Sequence, residues 1–336
     1  MTLRVLRPGL LTTVQDLGRW GRQQYGVIVA GAMDRLALRV ANLLVGNDEN
    51  AAAIEMTLVG PELEFKEDAL IALCGADLSA TVDGMAVPTW RPVVVRAGST
   101  LAFGKPVSGC RAYLALAGGV DVPLVMGSRS TYLRARVGGY QGRPLQAGDT
   151  LMAGPISETS AKRRNRLLAD DPASPIRAPR WFAGPDLANY AANPVVRVIP
   201  GSEFAWLAAE SREQLFSAEF TVTPKSDRMG YRLAGPKLAF RVRRELLSEA
   251  VCPGTIQAPP DGQLIVLMAD CATTGGYPKV AHVVTVDLPV VAQAQPGATL
   301  RFQPITPEEA QALIVAREAD IQKIRHWIAL HEEGNG

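Results

Sequence analysis

The sequence predicts a mainly β protein with a few helices, arranged as two β-barrel domains related by internal duplication. The first observation behind this is a repeated order of short motifs. Arg4-Val5-Leu6-Arg7-Pro8-Gly9 is echoed by Arg197-Val198-Ile199-Pro200-Gly201, and the pair Asp34-Arg35 by Asp227-Arg228. Gly60-Pro61-Glu62-Leu63-Glu64-Phe65 then recurs as Gly235-Pro236-Lys237-Leu238-Ala239-Phe240, and Gly98-Ser99-Thr100-Leu101 as Gly297-Ala298-Thr299-Leu300. The second observation is a succession of short alternating or β-branched runs separated by Gly/Pro turns. Closing such strands into barrels removes the edges they otherwise expose.

In chain order, Asp34 is placed to cap a helix from Arg35 to Val45, with Leu36, Val40, Leu43 and Leu44 on one face and Gly46 as its stop. Leu70–Leu73, Val93–Val95 and Arg111–Leu116 read as strands of the first domain, residues 1–156. The Arg/Ser/Pro-containing stretch 157–194 reads as a linker, and residues 195–336 as the second domain. There, Glu203 to Phe216 reads as a helix, while Leu264–Met268 and His282–Val286 read as strands. Thr306 as N-cap, Pro307 at the first helical position and Glu309 as capping-box partner open a terminal helix to about Glu332. Its apolar positions are expected to pack on the second domain.

The chain has 336 residues, 47% apolar and 20% charged, with a formal net charge of +2, so no basic stripe argues for nucleic acid. No apolar run approaches the roughly 18 residues of a membrane span and the first residues lack a secretory apolar core, which makes a cytoplasmic protein the expectation. Cys74, Cys110, Cys252 and Cys271 are far apart and the histidines are three, giving neither a zinc knuckle nor a metal set. Phosphate-loop spacing fails at Gly98 and Gly104-Lys105, and no Met-Lys-Met segment is present to carry biotin. If ATP or biotin is involved, its binding is therefore expected on, or shared with, a partner polypeptide.

Candidate chemistry concentrates in five places. Asp270-Cys271-Ala272-Thr273-Thr274-Gly275-Gly276-Tyr277-Pro278 brings hydroxyls, two glycines and a tyrosine to the end of an apolar strand, where backbone N–H groups can meet an anionic or carbonyl oxygen. A tight turn with capped hydroxyls accounts for the same residues. Val14-Gln15-Asp16-Leu17-Gly18-Arg19 and Ser226-Asp227-Arg228 each place a carboxylate beside a guanidinium, suited to an acidic substrate or to holding a loop. Gln257, before Pro259-Pro260, can read an amide edge or pair with its own turn. Gly127–Thr131 and Gly138–Arg143 form a glycine- and hydroxyl-rich region that is either an oxyanion surface or two structured turns. Cys271 lies beside the Thr-Thr-Gly-Gly turn without an evident base to activate it.

Val14–Arg19, Gly31–Arg35, Ala41–Asn47, Gly127–Thr131, Asp227–Tyr231, Gln257–Pro260 and Thr273–Pro278 together resemble the allophanate hydrolase subunit 2, or biotin-dependent carboxyltransferase, family. The resemblance runs from near residue 3 to about residue 303. It implies two cyclophilin-like β-barrel domains, pairing with a smaller KipI-like B subunit, and joint action with an A subunit to open 5-oxoproline to glutamate at the expense of ATP. The leading expectation is therefore one component of an ATP-dependent 5-oxoprolinase. Two alternatives are a carboxyltransferase component of a urea carboxylase-like enzyme, with biotin carried elsewhere, and a regulator that binds a KipI-like kinase inhibitor. Under the leading expectation, Arg19 and Arg228 hold a carboxylate or phosphorylated intermediate, and Thr273, Thr274, Gly275 and Gly276 stabilise oxyanionic charge. Gln15, Gln257 and Tyr277 bind substrate, and Asp16 or Asp227 transfers a proton. The chain has Ala272 before Thr-Thr-Gly-Gly-Tyr, a departure from the resembled family, whose members often carry Gln there.

Overall fold

A computed structural model describes residues 1–170, 174–184, 190–242 and 245–333; residues 171–173 and 185–189 of the expected linker lie outside the described residues. The chain divides into two compact units, the first made of Met1–Gly18, Asp34–Ala188 and Asp320–Gly336, the second of Arg19–Met33 and Asn189–Ala319.

The first unit holds two six-stranded sheets. One runs in the order Thr150–Met152, Thr2–Arg7, Glu62–Phe65, Thr100–Ala102, Thr81–Val82, Met85–Ala86, and the other Ile176–Arg177, Pro92–Val95, Ala69–Asp77, Ser108–Leu116, Ala53–Thr57, Leu11–Gln15. Strand periodicity sends alternate residues to opposite faces, so Leu3 and Val5 from one sheet meet Ile54, Met56, Ile71, Leu73 and Leu114 from the other in a single apolar core. On its opposite face the second sheet carries helix α1, Arg35–Leu44. The Asp34 side chain accepts from the Ala37 N–H as its N-cap.

The expected linker contains a helix, α2, Glu158–Asp170, and the short strand Ile176–Arg177. Ser157 opens α2 by accepting from the Ser160 N–H at 3.1 Å. From α2, Ser160 Oγ donates to the Val45 carbonyl at 2.7 Å and Arg163 donates to that of Leu44. The last carbonyls of α1 have no partners within their own helix, so the α2 side chains complete that end. Burial lowers the Arg163 pKa to about 10.

In the second unit, seven strands close a barrel in the order Val195–Pro200, Lys279–Val283, Thr255–Gln257, Ile265–Leu267, Gly230–Ala234, Phe220–Val222, Thr299–Pro304. Thr299–Pro304 closes it by pairing parallel with Val195–Pro200. Val196, Val198, Leu233, Val266, Val280 and Phe302 fill its interior, and Met33 joins the same cluster. The helix expected over Glu203–Phe216 is split into a 3-10 turn at Phe204–Trp206 and α3, Ala209–Ser217. The break falls where the Ala208 N–H donates out of the helix, to the Ala239 carbonyl. A separate two-stranded ribbon pairs Glu249–Ala250 with Thr274–Gly275.

A short helix, α4, spans Leu288–Gln293, and α5 spans Pro307–Glu333. The capping box forms, with Thr306 N–H donating to Glu309 Oε2 at 2.7 Å and Glu309 N–H to Thr306 Oγ1 at 3.2 Å. Of the apolar positions of α5, Ala310 and Leu313 pack with Val284 and Val286 of the second unit. Further along, Trp327 meets Trp181 of the first unit edge-on at 5.0 Å, so only the start of the helix follows the expected packing.

Candidate functional site

In the second unit, strand register delivers Arg228 to Asp270. Gly230–Ala234 pairs antiparallel with Ile265–Leu267, Gly230 opposite Leu267, which places the residues just outside both strands side by side. The Asp270 N–H donates to the Arg228 carbonyl at 2.8 Å. Side chain to side chain, Arg228 Nε and Nη2 donate to the two Asp270 oxygens at 3.0 and 2.8 Å, and Nη2 also donates to the Gly31 carbonyl at 2.6 Å. Both side chains are buried, so this is a desolvated bidentate pair whose partners must be kept together. Asp227 is exposed, and its Oδ1 accepts from the N–H groups of Met229 and Gly230, an Asx turn that shapes the approach to the pair. Arg19 is buried in the same unit, its N–H donating to the Val29 carbonyl at 2.6 Å.

Gln257 ends the barrel strand Thr255–Gln257 and is 5% exposed. Its Nε2 has no hydrogen-bond partner among the described residues. It lies against Gly275, where an added Cβ would come within 2.5 Å of it. Gly275 belongs to the ribbon, which the Val251 N–H extends by donating to the Thr273 carbonyl at 3.1 Å. Lys279, paired with Gln257 in the barrel, ion-pairs with Glu249 of the ribbon, and its N–H donates to Glu203 Oε2 at 2.8 Å. The hydrogen bond to Glu249 is the main reason that the Lys279 ammonium is held above its ordinary pKa, with Glu203 adding to it. Thr273 is half-buried, whereas Thr274, Gly276 and Tyr277 are exposed. Burial, with smaller effects of Cys252 and Asp270, pushes the Cys271 thiol up to about 12, which leaves it protonated and a poor nucleophile.

In the first unit, Asp16 is buried and accepts four hydrogen bonds: from Gly18 N–H at 2.8 Å, Ser128 Oγ at 2.7 Å, Arg129 N–H at 2.6 Å and Ser130 Oγ at 2.5 Å. The glycine- and hydroxyl-rich region thus turns its hydroxyls onto a carboxylate of the same unit. Gln15, fully buried beside it, donates to Thr13 Oγ1 and the Thr131 carbonyl at 3.0 and 3.2 Å, while its Oε1 is without a partner among the described residues.

Sequence reasoning left Asp270, Lys279 and Glu203 without roles. Asp270 carried one signal, its place three residues before the Thr273-Thr274 pair. A buried chain without a signal in the sequence runs through Tyr113, whose hydroxyl accepts from the Asp34 N–H and donates to Glu55 Oε2, each at 2.7 Å. Burial and the nearby carboxylates push the Tyr113 hydroxyl well above its ordinary value, so it remains a donor. Among the described residues, no group of three or more His, Cys, Asp or Glu side chains is placed to hold a metal ion, and no helix is long and apolar enough to cross a membrane.

A closed barrel, a paired internal sequence pattern and a Thr-Thr-Gly-Gly ribbon define a class that comparison with known proteins makes specific. The chain belongs to the carboxyltransferase domain family, subdomains A and B, whose model matches residues 25–304. It is 41% identical over 308 residues to the 5-oxoprolinase C subunit of Escherichia coli (strain K12), covering 92% of this chain and 93% of that one. The corresponding Haemophilus influenzae protein, which bears the same name, is 38% identical, with 94% and 95% covered. The solved Kluyveromyces lactis urea amidolyase superposes with a TM-score of 0.84 at 31% identity over 96% of this chain, which spans 20% of that much longer one. The mainly β, cyclophilin-like reading of the fold agrees with that likeness.

Proposed function

We propose that this chain is the C subunit of an ATP-dependent 5-oxoprolinase, working with a KipI-like B subunit and an A subunit to hydrolyse 5-oxoproline to L-glutamate in the cytoplasm. The observation that carries the reading is the nearly end-to-end 41% identity to a protein of that name, with neither chain leaving a large part unmatched.

The residues divide into those that hold the site and those that meet substrate. Arg228 spends its fork on Asp270 and Gly31, so it positions the strand ends that carry Asp227 and the Cys271–Thr274 bend rather than gripping a carboxylate. Asp16, saturated by four donors, likewise anchors its loop rather than moving a proton. Proton transfer falls to the exposed Asp227, and the buried Arg19 supports the binding surface of the second unit, while Gln15 remains a substrate-binding candidate of the first unit taken by itself. Gln257 and Tyr277 orient the lactam, while the hydroxyls of Thr273 and Thr274 and the backbone at Gly275 and Gly276 stabilise the oxyanion that forms when the amide is attacked. The donor set does not fit a nucleoside triphosphate. Such a ligand draws several convergent cations, whereas Arg228 is taken by Asp270 and Lys279 lies between two glutamates. ATP is therefore assigned to a partner polypeptide, and no step on this chain passes through it.

A second reading, carboxyl transfer from biotin carried elsewhere to a small amide, is favoured by the match to urea amidolyase at a TM-score of 0.84. The test is release of glutamate and ADP from 5-oxoproline plus ATP by the three copurified polypeptides. Activity that requires all three supports 5-oxoprolinase; none from an assembled complex, with bicarbonate- and biotin-dependent carboxylation of a small amide instead, supports the second reading.

A further inference from the structure

A buried polar atom without a protein partner costs about 1–3 kcal/mol, so a side chain that keeps one is explained by a ligand, a bound water or strain. In the second unit Gln257 Nε2 is such an atom, on a residue 95% buried, given its 5% exposure. What covers it is the ribbon. Gly275 lies directly over Nε2, in a backbone conformation that does not require glycine, so the missing side chain there serves space and not turn geometry. The ribbon is separate from the barrel ladder, its neighbour Leu247 is 89% exposed, and the Lys279–Glu249 ion pair ties it to the barrel. Short pairing and exposed flanks put such a segment at the low end of local stability.

We infer that the Glu249–Ala250/Thr274–Gly275 ribbon is a lid, and that the Gln257 side-chain amide beneath it is the donor that reads the substrate's carbonyl oxygen once the lid lifts. This rests on the reading of the chain as part of an amide-opening enzyme and adds to it the specificity-determining atom. An orphaned N–H selects an acceptor, so it discriminates the oxygen edge of an amide from its N–H edge. The local charge narrows the choice further: Lys279 is outnumbered by Glu203 and Glu249, which disfavours a substrate carboxylate and leaves a neutral carbonyl. Gly275 lets the ribbon close down on Gln257, because a Cβ there would press on Nε2 at 2.5 Å.

The test uses Gln257→Met and Gly275→Ala in the full chain assembled with its partner polypeptides. Gln257→Met is expected to raise the KM for 5-oxoproline about tenfold, the loss of one net hydrogen bond. The melting temperature of the chain is expected to stay the same or rise, since no partner in the fold is lost. Hydrogen exchange over residues 246–251 and 272–277 should respond to 5-oxoproline in the wild type and not in Gln257→Met. Gly275→Ala should raise KM and speed exchange in the ribbon without substrate. A Gln257→Met variant with KM within twofold of wild type, or with a melting temperature lowered by several degrees, overturns the inference. A wild-type assembly that releases no ADP with 5-oxoproline overturns the underlying reading instead, and is told apart because Gln257→Met would still keep its melting temperature.

Discussion

The buried pair Arg228–Asp270 yields the sharpest prediction. Asp270→Ala removes the carboxylate that takes two guanidinium N–H donors at 3.0 and 2.8 Å and leaves the charge in a site where both side chains are about 5% exposed or less. Stranding one member of such a pair costs about 3–5 kcal/mol, against a total stability of about 5–15 kcal/mol for a protein. Arg228→Met strands Asp270 and also deprives the Gly31 carbonyl of its 2.6 Å donor, adding about 1–3 kcal/mol. The double variant Arg228→Met/Asp270→Ala leaves no buried charge and should lose less than the two single losses added together, by about 2–3 kcal/mol of coupling. The assay is urea unfolding with hydrogen exchange read on Gly230–Ala234 and Ile265–Leu267, so that the second unit's own transition is followed. Single variants that cost under about 1 kcal/mol, or a double variant whose loss is the plain sum, would refute the assignment of a desolvated pair.

Asp16→Asn should destabilise the first unit by about 1–3 kcal/mol, because the amide oxygen can replace Oδ1 for Gly18, Ser128 and Ser130 but the NH₂ in place of Oδ2 cannot accept from the Arg129 N–H, and the charge that strengthens all four bonds is lost; a loss below about 0.5 kcal/mol in denaturant titration contradicts the four-donor anchor. Asp149 is held below its ordinary pKa chiefly by its hydrogen bonds to Arg143, with the Gln146 N–H contributing. Its folded value lies below its unfolded one, so its contribution is present above about pH 4 and disappears as pH falls through the lowered value. Asp149→Asn should therefore flatten part of the acid limb of stability against pH, and an unchanged limb would remove Asp149 from it. Cys252 is exposed, while Cys74, Cys110 and Cys271 are buried, so brief iodoacetamide treatment near pH 8 should label Cys252 alone; comparable labelling of Cys271 would contradict its protonated state. Thr306→Ala should cost about 1 kcal/mol through loss of the cap and fray the first turn of α5, read as faster exchange at the amides of Glu308, Glu309 and Ala310; unchanged exchange there would deny the capping box.

Local features were legible because their physics is local. The capping box at Thr306–Glu309 joins residues three apart, and the α1 cap joins Asp34 to the Ala37 N–H, so residue type and spacing suffice. The strand runs at Leu70–Leu73, Val93–Val95 and Arg111–Leu116 follow from apolar and β-branched content, and each lies in an observed strand. His282–Val286 was half right: the strand is Lys279–Val283, after which the chain turns into a 3-10 segment at Thr285–Asp287, where Asp287 accepts from Arg197. Helix α2 stayed hidden because a sequence with Arg163, Arg164 and Arg166 shows little apolar stripe, and its place is decided by carbonyls of α1 that it completes.

By itself the sequence determined that the chain is mainly β, that it carries two related halves, and which motifs mark its family, since periodicity, turn residues and motif order are written along the chain. Tertiary structure alone decided what those motifs do. Asp16 meets hydroxyls more than 110 residues away and Arg228 meets a carboxylate 42 residues away, and in both cases burial makes the long-range partner obligatory. At Gln257, by contrast, no acceptor among the described residues reaches Nε2. A free donor and a satisfied one look the same in a sequence, because satisfaction depends on which strands become neighbours and not on the residues beside it in the chain.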